Sequence, residues 1–185
     1  MDIERKILDK IYSQKTSVGH LIKDKGKPVY YRTTGGRYYK VITPYSTGSR
    51  KETSIFFDKK ISKSVGAVLS SNLYFWFYQI YSNNLDLKFY EIESFKIPLD
   101  KLTDNTIEKL EKIYNEYLED IEANSNVRQT SRYANIDSFR EYKIGKSKAI
   151  IDKIDDFIGP LYGFTQEEID FIKNYEIAFR LTDDE

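Results

Sequence analysis

The chain has 185 residues, with 29 basic and 29 acidic side chains, one histidine and no cysteine. That is the length of one domain, or of one domain with a helical appendage, and 40% hydrophobic with 31% charged residues is a globular composition. Zero cysteine excludes disulfide frameworks, thiolate nucleophiles, iron–sulfur clusters and cysteine zinc sites, and the lone His20 leaves little for Ser-His-Asp or zinc chemistry.

The opening stretch MDIERKILDK is charged from its second residue, unlike a signal peptide. Ile3, Ile7, Leu8 and Ile11 recur at helical spacing and predict an amphipathic helix over about 2–14. Ser13 to Lys27 is polar and reads as a loop. Val29-Tyr30-Tyr31 and Tyr38 to Ile42 are β-prone runs joined across Gly35-Gly36, a hairpin signal. Pro44 to Lys51 is a second loop, and Ser54 to Phe57 a short strand. Val65 to Tyr81 carries no charge and predicts one helix, apolar on all sides, at the centre of the core. Leu87 to Ile97 reads as strands ended by Pro98. Ile107, Leu110, Ile113, Tyr114, Tyr117, Leu118 and Ile121 share one helical face, so a helix spans about 103–123, capped by Thr103 or Asp104. Asn124 to Tyr142 is a polar connector. Ile150, Ile151, Ile154, Phe157, Ile158 and Leu161 define a helix over 147–159, stopped by Gly159-Pro160. Thr165 to Glu168 is a capping box opening a last helix over 165–176. The expected fold class is α+β: a small sheet and hairpin region around a buried central helix, with amphipathic helices following. The expected organisation is an N-terminal helix and linker at 1–27, an α+β core at 28–100 and a helical segment at 101–185. No apolar run reaches the roughly 18 residues of a membrane span, and a cytoplasmic location is expected.

The zero net charge conceals an asymmetry. Residues 1–65 carry 15 basic against 6 acidic side chains, net +9; residues 66–145 carry 9 against 13, and residues 146–185 carry 5 against 10. A basic first third is the footprint of a polyanion partner, or it pairs with the acidic remainder inside the fold. The 16 Tyr, 11 Phe and 1 Trp suit a recognition surface. An AT-rich coding bias accounts for them equally well.

Catalytic motifs are sparse. No P-loop or G-x-G-x-x-G occurs, and Thr43-Pro44-Tyr45 lacks the amide of an amino-methyltransferase motif. Asp58-Lys59-Lys60 and Glu4-Arg5-Lys6 match part of a nuclease triplet by chance in so lysine-rich a chain. Asp155-Asp156 reads as the solvated face of a helix, and His20 as a solvated loop histidine. No metal or cofactor is expected in this chain. The residues therefore describe a non-enzymatic α+β domain with a basic, aromatic, loop-rich N-terminal face. Arg32, Arg37, Lys40, Arg50 and Lys51 cluster around two loops. Arginine forks onto guanine or phosphate, and lysine acts as a point charge on the backbone. Arg37, following Gly-Gly, is the preferred base reader; the bland alternative is a pairing with a sheet carboxylate.

Ala67 to Tyr78, followed by Asn83-Asn84 and Phe95-Lys96-Ile97-Pro98, resembles the specificity segment of bacterial restriction–modification enzymes. Tyr30 to Tyr39 resembles the strand that precedes it. Ser147 to Asp155, with Tyr162 to Tyr175, is similar to the closing segment of type IIG restriction–modification methylases. The resemblance runs from about 28 to 180. It implies a C-terminal target-recognition domain whose partners are double-stranded DNA and the methyltransferase and nuclease domains of the same enzyme or of a partner chain. S-adenosylmethionine and magnesium would belong to those catalytic domains, whose motifs this chain lacks. The candidate DNA-binding residues are Arg32, Thr33, Thr34, Arg37, Tyr38, Lys40, Arg50, Lys51, Asn83 and Asn84. Two other function classes remain in view. One is a protein-interaction module docking a methyltransferase or nuclease through the 103–123 helix and the tail helices. The other is a small enzyme with a carboxylate site in the acidic half.

Overall fold

In the computed structural model, residues 2–34, 40–82, 86–132 and 135–180 are described. The predicted amphipathic helix is α1 (Ile3–Tyr12), and Ile7 and Ile11 on its apolar stripe are fully buried. The segment expected as a loop instead holds β1 (Thr16–Ser17), the single turn α2 (Val18–Leu21) and β2 (Ile22–Lys23). These pieces are too short to show a period in sequence. Then come β3 (Lys27–Arg32), β4 (Ile42–Thr43) and β5 (Glu52–Phe57): β3 and β5 cover the expected β-branched and aromatic runs, β4 keeps only Ile42 of the described residues in the run expected over 38–42, and the Gly35-Gly36 turn lies outside the described residues.

The uncharged run is not one helix. It is α3 (Ser62–Leu69) and α4 (Asn72–Tyr81), broken where Ser71 takes an extended backbone and accepts the Tyr74 N–H at 3.1 Å as an N-cap. Its place at the core was read correctly: every residue from Ser64 to Tyr78 is buried, and Trp76 is completely enclosed. Residues expected as strands after it form α5 (Phe89–Glu93) and only a short β6 (Lys96–Ile97). The predicted long helix is α6 (Asp104–Ala123), with Thr103 accepting the Thr106 N–H at 3.3 Å.

The expected connector at 124–142 is an antiparallel hairpin, β7 (Ser125–Arg132) and β8 (Asn135–Tyr142). Next, α7 (Lys148–Tyr162) does not stop at Gly159-Pro160. It runs through the proline and ends at Gly163, whose φ of 78° forms the left-handed C-cap. The predicted capping box opens α8 (Gln166–Asn174): Thr165 accepts the Glu168 N–H at 3.3 Å and Glu168 accepts the Thr165 N–H at 2.8 Å. A last turn, α9 (Ile177–Arg180), closes the described chain.

Among the described residues the strands form three antiparallel sheets: β1 with β6, the order β2-β5-β3-β4, and β7 with β8. With the helices they make an α+β fold. One apolar cluster draws side chains from all three expected segments, among them Ile7, Val29, Phe57, Trp76, Leu110, Ile154 and Ile169. The Lys10–Glu168 pair at 2.6 Å fastens α1 to α8. Among the described residues, no helix is long and apolar enough to cross a membrane.

Candidate nucleic-acid interface

The backbone gathers most of the described candidates at one end of the four-stranded sheet. Arg32 closes β3, opposite Glu52 in the register with β5. Beyond it, Thr33 donates its N–H to the Lys51 carbonyl at 2.7 Å and its hydroxyl to the same oxygen at 3.0 Å. The chain returning toward β4 passes here as well, since Val41 accepts the Arg32 N–H at 3.2 Å. The Leu87 N–H reaches the Thr33 carbonyl at 2.9 Å, which ties the segment after α4 to the same place. Thr33, Thr34, Lys40, Arg50 and Lys51 therefore share a neighbourhood that sequence separation alone does not reveal. Arg37, Tyr38, Asn83 and Asn84 lie outside the described residues.

These side chains are not equivalent. Arg50 and Lys51 are exposed. Arg32 is half-buried and works as a strut. Its guanidinium donates to Thr47 Oγ1 from Nε at 3.2 Å and from Nη2 at 2.9 Å, and to the Arg140 carbonyl. It also lies 5.3 Å from the Tyr142 ring centre. Burial lowers its pKa, opposed by Tyr142, Glu52 and Glu141. Lys40 places Nζ 4.7 Å from the Tyr78 ring centre; burial lowers its pKa too, opposed by Glu91 and Asp86.

Acidic groups organise the rim. Glu52 accepts the Ser46 hydroxyl at 2.7 Å and the Thr47 N–H at 2.9 Å, which shapes the loop after β4. Glu122, near the end of α6, accepts the hydroxyls of Tyr45 at 2.8 Å and Tyr142 at 2.5 Å and pairs with Arg140 at 3.2 Å. Burial, with Glu122 alongside, pushes both phenols far above their ordinary value. Gly48, at φ 79°, lets this loop lie beside β8: an added Cβ would stand 3.6 Å from the Ser138 carbonyl. The strut, the loop and the Glu122 cluster thus hold the base of the β7–β8 hairpin against the sheet end. Sequence reading missed this hairpin. Its strands are polar on both faces, and Arg132 to Asn135 contains no glycine to announce a turn.

Other chemistry-bearing residues resolve into structural roles. His20 Nδ1 accepts the Ser17 N–H at 3.2 Å, completing a small capping box. Asp58 accepts the Lys60 N–H at 2.8 Å in a turn. Asp155 overturns its expected solvated placement: it is 3% exposed, whereas Asp156 meets Lys173 at 2.8 Å on the surface. The Asp155 carboxylate accepts the N–H groups of Asn72 and Leu73, both at 2.9 Å, and the Asn72 amide at 2.7 Å. It thereby caps α4 from α7. Around it, the side-chain Oδ1 of Asn72 accepts from Arg180, and Lys148 pairs with Asp152. Burial pushes Asp155 up from 3.8 to about 6, against the pull of these hydrogen bonds and of Arg180. The apolar walls of Leu73, Ile158, Phe164, Ile169 and Ile172 close the carboxylate in. Among the described residues, no cluster of three or more His, Asp or Glu has the makings of a metal site. Compared with family models, with curated proteins and with solved structures, the chain matches none.

Proposed function

We propose that this chain is a sequence-specific duplex-DNA recognition module of the restriction–modification type, which positions a separate methyltransferase or nuclease domain on its target. The observation that carries the reading is the convergence of Thr33, Thr34, Lys40, Arg50 and Lys51 at one sheet end, held by the Thr33–Lys51 backbone pair. Exposed Arg50 and Lys51 supply phosphate contacts, and the hydroxyls of Thr33 and Thr34 supply short-range hydrogen bonds. The excess of basic side chains in residues 1–65 supports the same face. The test is titration of the full chain into a labelled mixed-sequence duplex at two salt concentrations. Alone it is expected to bind with Kd of roughly 10⁻⁴–10⁻⁶ M at physiological salt and to weaken steeply as salt rises. Fusion to a methyltransferase domain then reads out the methylated sites.

A second reading, a docking module for a catalytic partner, has its own support. It does not run through the apolar stripe of the 103–123 helix, the route expected from sequence, because Leu110, Tyr114, Tyr117 and Ile121 of α6 are buried inside the fold. Exposed aromatics lie elsewhere: Tyr12 and Tyr81 pair edge-on at 6.4 Å, and Phe89 and Tyr90 stand on α5. Tight association with a catalytic chain in the absence of DNA would favour this reading.

A further inference from the structure

We propose that the β7–β8 ribbon is an arm that enters the major groove of a B-form duplex and sets its face bearing Asn126 and Arg128 against base edges and phosphates. The inference rests on the reading of this chain as a duplex-DNA recognition module.

Among the contacts described, Arg140 and Tyr142 tie the base of the arm to Glu122 at 3.2 and 2.5 Å, Arg32 donates to the Arg140 carbonyl, and the Gly48 loop lies beside Ser138. Pairing then continues for eight registers, from Ser125–Tyr142 out to Arg132–Asn135. At about 3.4 Å per residue, strands of this length reach roughly 27 Å. Val127 is 61% exposed, and Asn126, Arg128, Gln129 and Ser138 are exposed as well. A two-stranded hairpin by itself is marginal in water, so a long ribbon with exposed side chains at 126–129 and 138 is suited to being completed by a partner.

The side chains select the partner. A protein-docking ribbon needs an apolar centre, and here only Val127 and Phe139 offer one among the described side chains of the arm. Asn126 and Arg128 instead present hydrogen-bonding groups on one face, and Gln129 and Ser138 on the other. Arginine matches the O6/N7 edge of guanine, and Asn or Gln the N6/N7 edge of adenine. Size selects the groove. Two strands about 4.8 Å apart, with side chains, fill the roughly 12 Å major groove and do not enter the roughly 6 Å minor groove. The Arg128–Glu141 pair at 2.6 Å is solvent-exposed, so a base edge or phosphate can displace it cheaply. The base of the arm hydrogen-bonds to Arg32, so it continues the sheet-end face.

The experiment titrates a labelled mixed-sequence duplex of about two helical turns with four full-length proteins. They are the wild type, Arg128→Ala, Glu141→Gln, and a short-arm chain in which an Asn-Gly turn joins Val127 to Arg140. The same duplex methylated at guanine N7 probes the major groove, and a minor-groove competitor probes the other. The short arm is expected to bind about tenfold more weakly and to lose N7 interference over part of the site. Arg128→Ala is expected to weaken binding and Glu141→Gln to tighten it about two- to fivefold. Both point variants lie on the ribbon surface and decide the matter even where the short-arm chain does not fold. Unchanged affinities, or competition only by the minor-groove ligand, overturn the arm while leaving the DNA reading in place. A wild type that binds no duplex overturns both.

Discussion

Removing the Asp155 carboxylate should unseat the N-terminus of α4, and the cost should depend on pH in a defined direction. Asp155→Ala strands the N–H groups of Asn72 and Leu73 and one of the two N–H bonds of the Asn72 amide, all now held within 2.7–2.9 Å, while the other amide N–H keeps Asp152 at 2.9 Å. A buried donor left without a partner costs about 1–3 kcal/mol. Opposing this is the charge itself: a rise from 3.8 to about 6 means that burying the ionised form is unfavourable. A shift of about two units corresponds to roughly 3 kcal/mol at neutral pH. The two effects leave a net loss of about 3 kcal/mol at pH 7 for Asp155→Ala. The folded state holds the proton more tightly than the unfolded chain. The stability gained by protonation is therefore complete below the unfolded value near 3.8 and is lost as pH rises through about 6. The variant has no such proton, so its deficit relative to wild type should grow by about 1 kcal/mol between pH 7 and pH 5. Urea denaturation followed by circular dichroism, at both pH values, measures it. A deficit that shrinks toward pH 5, or a loss below about 0.5 kcal/mol at both, would refute the capping argument.

Three further outcomes follow from the packing. Trp76 is fully enclosed and meets Phe171 edge-on at 6.3 Å, so Trp76→Ala should cost about 3–5 kcal/mol in denaturant titrations. Its indole N–H has no partner among the described residues, so Trp76→Phe should cost clearly less than Trp76→Ala in the same assay. Gly66→Ala drives a Cβ to 2.7 Å from the Tyr114 hydroxyl, which is held by its bond to the Ile42 carbonyl at 3.0 Å. It should lower stability by about 1–3 kcal/mol, read as a fall in Tm, and an unchanged Tm would show that Tyr114 yields.

The elements that could be read from sequence are those whose burial is one-sided. The stripes of α1 and α6 and the Thr165–Glu168 box announce themselves because each residue type answers a single environment. The break between α3 and α4 is invisible to periodicity because every residue from Ser64 to Tyr78 is buried, and only Ser71, a good N-cap, marks it. Asp155 offered a missed signal. It lies four residues after Ile151 and three before Ile158, within the buried stripe of α7, where a carboxylate needs partners. The hairpin from 125 to 142 was illegible for the opposite reason: with its faces polar, no alternation separates an inside from an outside. At the candidate site, residue types pointed to Arg50 and Lys51. Arg32 became a strut through Thr47, Arg140 and Tyr142, residues 15 or more positions away.

The most direct test of duplex recognition at the sheet end is the salt dependence of DNA binding by the wild type and by Lys51→Ala. Lys51 is exposed, and its tie to Thr33 runs through its backbone carbonyl, so the substitution spares the fold. The account predicts a steep fall of log K with log salt for the wild type, and a slope shallower by about one for the variant on every duplex tried. A slope unchanged by Lys51→Ala, or a wild-type chain that binds no duplex at low salt, would contradict it.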